Sequence, residues 1–395
     1  MEFADRTHDL KPEGAYQVLA RAQQLEADGF DIIHLEIGEP DFATPAAIAQ
    51  AGAQALLDGK TRYNPPAGLP DLRRAIAADA GRRRGMSIDA AQVVVGPGAK
   101  PLLFLAALAL VNPGDEVLYP DPGFPTYPAM IRVAGGVPVP IPLREETGFS
   151  FDLEAFDRLA GARTRLILLN SPGNPTGGVI PRRDLEHIAD RARQLGCWVL
   201  SDEIYARLTF DGRPAPSLAA LPGMAERTVI VDGFSKTYAM TGWRLGFGIM
   251  PEALAARLEL LATHAHGCTA HFTQLAGLEA LRGPQEPADR MVDEYRRRRD
   301  VLVSGLNRIP GVRCPIPQGA FYAFPNVAAY GRPSSEIAEH LLEGGVAVLP
   351  GTAFGEAGEG YLRLVFANSL ERLEAALERM RAALARIAPP GLAGG

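Results

Sequence analysis

Between residues 93 and 250 the chain alternates short, almost wholly apolar runs with stretches of helical character. The runs are VVV 93–95, EVLYP 116–120, VPVPI 137–141, LILLN 166–170, WVLSD 198–202, VIVD 229–232 and LGFGIM 245–250. A strand with one wet face alternates apolar and polar residues, whereas a strand covered on both faces does not. Apolar runs separated by helices therefore predict an α/β fold: a mostly parallel, seven-stranded sheet lying between helices.

Ahead of this block the sequence reads as a helix over 12–28, a strand running into the Gly/Pro turn of DIIHLEIGEPDFATP, a helix ended by Gly59, and a helix N-capped by Asp71. Behind it a long helix is expected at 251–282 and RGPQEP as a hinge. The remainder mixes helices (288–306, 334–343, 370–386) with the strands FYAF, VAVLP and YLRLVF. That mixture predicts a smaller α+β domain. The expected division is a large domain over 45–282 and a small one from 1–44 and 283–395, with a frayed tail APPGLAGG.

A formal net charge of −6 gives no global reason to expect a nucleic-acid partner. The basic runs Arg82 to Arg84 and Arg296 to Arg299 lie in helical, mixed-charge contexts and read as solvated faces or an oligomer rim. Cys197, Cys268 and Cys314 are scattered, without a CxxC, which suits free thiols in a reducing cytoplasm. The longest apolar run, PLLFLAALALV, is too short to span a membrane, so a soluble, cytoplasmic protein is expected. His264, His266 and His271 lack metal-ligand spacing, and no metal is expected.

Open α/β sheets bind ligands beyond the carboxyl ends of their strands. Polar groups gather there: Gly96 to Lys100 after VVV, NSPGNPTGG 170–178 after LILL, Asp202 and Tyr205 after WVL, and Ser235 with Lys236 after VIVD. GPGAKP is no dinucleotide fingerprint, because the third glycine position is Pro101. It does suit an anion, since Gly98 and Ala99 let a ligand approach the backbone at a helix start. Asp202 reads either as a helix cap or as an anion held under a cationic ring nitrogen. Lys236 sits among Phe234, Tyr238, Met240 and Trp243, where burial lowers an amine's pKa and makes it nucleophilic. Arg363, inside the apolar strand YLRLVFA, calls for a carboxylate, either a structural partner or a substrate.

Together GEPDF, YNPPAGLPDLR, NSPGNPTG, SDEIY, GFSKTYAMTGWRLG and YLRLVFANS resemble, in order and across essentially the whole chain, the class I/II pyridoxal-phosphate-dependent aminotransferases of the aspartate aminotransferase fold (fold type I). The resemblance implies a homodimer with shared active sites, pyridoxal 5'-phosphate as cofactor, and an amino acid and a 2-oxo acid as substrates. It implies transfer of the amino group from an L-amino acid by a ping-pong mechanism, with Lys236 joined to the cofactor as an aldimine and then acting as the base at the substrate Cα.

By the same resemblance Asp202 pairs with the pyridine nitrogen, and Tyr205 and Asn174 bond the phenolate oxygen. Arg244 and Ser235, with the helix start at Gly98, Ala99 and Lys100, hold the phosphate. Phe124 stacks on the ring, and Tyr63 reaches the phosphate in the partner subunit. Arg363, with Gly38 and Asn174 nearby, takes the substrate carboxylate. Lys100 resembles a lysine that reads a distal carboxylate in relatives acting on acidic substrates, but Glu13 would neutralise it, so a broad or non-acidic amino donor is expected. A carbon–sulfur β-lyase on the same scaffold is the alternative, since it also begins with Cα deprotonation. A cofactor-binding regulator is disfavoured, because too little chain precedes HLEIGEP for a DNA-binding domain.

Overall fold

The computed structural model describes residues 3–8, 10, 12–212 and 214–389, so most of the expected frayed tail, 390–395, lies outside the described residues. The N-terminal part supplies α1 (Gly14–Ala27), β1 (Ile33–His34), α2 (Ala46–Leu57) and α3 (Pro70–Arg84). The alternating block runs β2 (Val93–Gly96), α4 (Ala99–Leu110), β3 (Glu116–Asp121), α5 (Thr126–Val133), β4 (Val137–Pro142), α6 (Leu153–Leu159), β5 (Thr164–Asn170), α7 (Arg182–Leu195), β6 (Trp198–Asp202), β7 (Thr228–Gly233) and β8 (Gly246–Ile249). After it come α8 (Glu252–Ala265), α9 (His271–Arg282), α10 (Glu286–Leu306), β9 (Tyr322–Ala323), α11 (Ser334–Glu343), β10 (Val346–Ala347), β11 (Leu349–Pro350), β12 (Leu362–Val365) and α12 (Leu370–Ile387).

The expected strands form one seven-stranded sheet, in the order β2-β8-β7-β6-β5-β3-β4. Pairing is parallel from β7 through β6, β5 and β3 to β4; β8 runs antiparallel to both of its neighbours. β5, β6, β7 and β8 are buried almost throughout, as unbroken apolar runs require. One core layer joins Leu102, Leu105 and Leu258 to the sheet, and another packs Phe156, Leu185 and Ile188 on its other face. The largest core cluster continues from Ile76 of α3 and Phe234 into Tyr295, Leu302, Leu373 and Leu384 of the C-terminal helices. There β11, β12 and β9 make a small antiparallel sheet, and β1 pairs with β10 in parallel.

Three local expectations are corrected. Asp71 does not cap α3: the helix starts at Pro70, whose missing N–H and fixed φ suit a first helical position, and the Asp71 side chain pairs with Arg74. The stretch 251–282 is two helices, because Gly267 turns into the left-handed region at φ +74° and Thr269 accepts bonds from Asn64 and Gln274 at 2.8 Å each.

The basic runs, finally, are only partly solvated. Arg84 is 5% exposed, its guanidinium 2.7 Å from Glu203 and 3.1 Å from Asp232. Arg298 and Arg299 are buried too, against Asp41 and Glu294 and against Asp211 and Asp300. Glu203, Asp232, Asp41 and Asp211 lie far off in sequence, so a local charge pattern could not reveal them.

Candidate active site

The carboxyl ends of the central strands open on a cavity of about 590 Å³, walled on the other side by residues 13–16, 37–39 and β12. Ala99, Lys100, Phe124, Asn174, Asp202, Tyr205, Ser235, Lys236, Arg244, Gly38 and Arg363 all line it. Gly98 sits directly behind, at φ +102°, where an added Cβ would come within 2.4 Å of the Arg244 guanidinium. Tyr63 is 97% exposed and lies outside the cavity of its own chain.

Lys236 leaves the end of β7 and donates to the Gly38 carbonyl at 2.6 Å, with the Phe321 ring 5.6 Å from its amine. Burial is the main cause that pushes its pKa down to about 8, and the cations of Arg363, Arg244 and Lys100 push the same way. At pH 7 roughly a tenth of this amine is therefore unprotonated, far more than of an ordinary lysine.

Asp202 ends β6 and is almost fully buried. It accepts from the Tyr127 hydroxyl at 2.9 Å and from the Ile204 backbone at 3.2 Å; both donors are neutral. Burial without a paired cation pushes its carboxyl up to about 6. No helix begins there for Asp202 to cap: one of its oxygens accepts from the backbone of the turn after β6, and the other from Tyr127.

Arg244 is exposed, unlike its apolar neighbours, and holds a left-handed backbone at φ +54°. Its guanidinium donates to the carbonyls of Thr241 at 2.8 Å and Pro97 at 3.4 Å, beside the start of α4. Cation and helix start together make an anion-attracting corner. The two cations of the segment 231–248 therefore face one cavity from different depths.

Arg363, from β12, is buried between the rings of Tyr322 and Phe354, each 4.8 Å from its guanidinium carbon. It donates to the Glu36 carbonyl, and to Asn174 Oδ1 at 3.3 Å, while its Nε has no partner. Burial lowers its pKa from the usual arginine value, a sign of a cation short of negative company. Gly38 is required by contact: a Cβ there would meet the Tyr322 hydroxyl at 2.5 Å.

Among the lining residues, Tyr322 and Tyr127 escaped the sequence reading, and Asn170 was read only as part of a loop. Tyr322 shares a 2.6 Å hydrogen bond with the Tyr205 hydroxyl, and burial raises the Tyr205 phenol well above its ordinary range. Tyr127 holds Asp202, and Asn170 donates to the Asp202 carbonyl at 3.1 Å and accepts from the Asn174 amide at 2.8 Å. Tyr127 lies one helical turn after Phe124, and Asn170 opens a Gly/Pro-rich loop; those were the available signals.

Residues 31–380 match the family Aminotransferase class I and II. The chain is 40% identical to a probable aspartate/prephenate aminotransferase of Aquifex aeolicus, over 98% of this chain and 99% of that one. It is 38% identical to aromatic-amino-acid aminotransferase 2 of Thermococcus litoralis, over 97% and 98%. A solved double mutant of Thermus thermophilus aspartate aminotransferase superposes with a TM-score of 0.92 at 38% identity, covering 97% of this chain and all of that one. A match of that extent, on a chain whose cavity brings together a part-buried lysine, a buried aspartate without a paired cation and a buried arginine whose Nε has no partner, makes the chain a member of the class I and II aminotransferases.

Proposed function

We propose that the protein moves the amino group of an L-amino acid to a 2-oxo acid in two half-reactions, using pyridoxal 5'-phosphate held on Lys236. The observation that carries this is the pairing of an amine of lowered pKa with a buried carboxylate that lacks a cation, across one cavity. The residues fit the cofactor: Asp202 suits a protonated ring nitrogen, Arg244 with the Gly98–Lys100 helix start and Ser235 suits a phosphate, and Phe124 suits a ring face. Tyr205 and Asn174 suit the phenolate. When bound, the cofactor supplies an electron sink for charge developing at the substrate Cα.

The chain's own groups do the rest. Arg363 binds the substrate α-carboxylate, with Gly38 and Asn174 beside it, and fixes which hydrogen of Cα faces Lys236. Lys236 Nζ takes that proton and keeps it close for return. Asp202, ionised once a cation sits against it, holds the electron sink in its charged form.

The proposal includes a homodimer in which Tyr63 completes the partner's site, in keeping with the exposure of Tyr63 and of Leu57, 82% exposed on α2. It includes the domain division 45–282 against 1–44 and 283–395, and a cytoplasmic location, which the free cysteines suit. Among the described residues no helix is long and apolar enough to cross a membrane.

The test is the absorbance of the protein loaded with pyridoxal phosphate, single amino acids being added without an oxo acid. Loss of the starting band, and its return on adding a 2-oxo acid, is expected. An unchanged band with release of ammonia and an oxo acid would instead establish the β-lyase.

A further inference from the structure

His34 and Glu36 flank the cavity, and neither lines it. Glu36 is completely buried just past β1, and its own carbonyl is the one that accepts from Arg363. One oxygen of its carboxylate meets His34 Nδ1 at 2.7 Å, and the other has no partner. On its far side the His34 ring meets Glu26 of α1 through Nε2, at 3.0 Å. Ionised carboxylates only accept hydrogen bonds, and a neutral imidazole has one N–H to give. Both contacts are therefore complete only when His34 is protonated. Burial works against the charged ring, but the bonds and charges of Glu36 and Glu26 outweigh it and raise the His34 pKa above the usual histidine value.

No other charged group bonds His34. Asn368, ahead of α12, donates to its carbonyl at 3.2 Å, and β10 lays Val346 and Ala347 alongside. The cations of α12 turn elsewhere: Arg372 reaches the Ile32 carbonyl and Asp31, and Arg379 pairs with Asp31. On the side of Arg363, the buried cation is supported at a distance by Glu36, and less by Glu13, which Lys100 pairs at 2.5 Å. A carboxylate arriving at Arg363 competes with Glu36 for the same positive field. While His34 is charged it cancels Glu36, and the newcomer has the cation to itself. Once His34 loses its proton, Glu36 is uncompensated and repels the newcomer.

We propose that Glu36 and His34 are positioning residues that act through Arg363: Glu36 offsets part of its charge, and a protonated His34 removes that offset, so the substrate carboxylate is held more tightly when His34 is charged. This inference rests on the reading of Arg363 as the carboxylate anchor. Binding should be tightest below the His34 pKa and weaken as pH rises through it.

The experiment uses the holoenzyme and 3-phenylpropionate, a carboxylic acid with no amino group to transfer, its dissociation constant followed by calorimetry. His34→Gln, which never carries the charge, should bind roughly fivefold more weakly than wild type at about pH 5.5 and equally at about pH 9. Glu36→Gln should do the reverse, binding nearly as wild type at about pH 5.5 and roughly fivefold more tightly at about pH 9. Glu26→Gln should keep both limits and move the midpoint of the change to lower pH. The other titrating groups of the cavity are common to all four proteins, so the ratios isolate His34. Binding and protonation are reciprocal, so the acid should raise the His34 pKa, read by NMR of its ring, by about 0.7 pH units, the logarithm of the same factor. A ratio of wild type to His34→Gln that stays level with pH, in proteins that melt alike, would overturn the proposal. So would a His34 pKa that the acid leaves in place. If Arg363→Lys binds the acid as the wild type does, Arg363 is not the anchor, and it is the underlying reading that fails.

Discussion

At the residue scale the site is a pair of groups, each buried against its charge. The Asp202 carboxyl, pushed up to about 6, is protonated more readily in the folded apoprotein than in the unfolded chain. Its contribution to stability is therefore full below the unfolded carboxylate pKa and is lost as pH rises through about 6. Asp202→Asn should stabilise the apoprotein at pH 7 by roughly 2–3 kcal/mol, and the difference should vanish below about pH 4. Urea unfolding of apoprotein at the two pH values checks this. The same variant should lower turnover at least ~100-fold, because charge stabilisation of the sink is lost.

Lys236 is the mirror case: its stabilising contribution is present above the unfolded lysine pKa and lost as pH falls through about 8. Lys236, Asp202 and Arg363 were legible in the sequence because each is an ionisable residue at an apolar strand or its end. Tyr322 and Tyr127 were not, because a tyrosine in a buried run looks like packing until its hydroxyl is seen to have a partner.

At the scale of elements, strand ends and helix starts carry the chemistry. The strands were legible because burial on both faces leaves no polar alternation to confuse. The break at Gly267 was missed because one glycine does not outweigh a helical pattern on either side. Gly98→Ala should drive the Arg244 guanidinium from the start of α4 and weaken cofactor affinity at least ~10-fold, read by equilibrium dialysis.

Arg84 connects the last turn of α3 to the ends of β6 and β7, where Glu203 and Asp232 receive it. Removing it leaves buried Glu203 without a cation and buried Asp232 with only Arg83 at 3.5 Å, so Arg84→Met should cost about 3–5 kcal/mol in urea unfolding. Adding Glu203→Gln and Asp232→Asn should recover most of the loss. No sequence pattern reveals this cluster, since its partners are 119 and 148 residues from Arg84.

At the scale of the whole molecule, one chain builds a cavity with all the expected side chains except Tyr63. The exposed Tyr63 and Leu57 are the surface that the proposed dimer would cover. Mixing inactive Lys236→Ala protein with impaired Tyr63→Ala protein, after dissociation and reassociation, should yield hybrid dimers with one intact site each. Activity should return to roughly a quarter of the wild-type value. Activity that merely averages the two variants would place Tyr63 outside the shared site.

The chain contains four lysines: Lys11, Lys60, Lys100 and Lys236. Two of them, Lys100 and Lys236, line the cavity, so covalent trapping separates the central claim from its nearest rival. The protein should be loaded with pyridoxal phosphate, reduced with borohydride and mapped by peptide mass spectrometry. The account predicts the cofactor on Lys236, in stoichiometric amount, with none on Lys100. Label on Lys100, or none on Lys236, would contradict it.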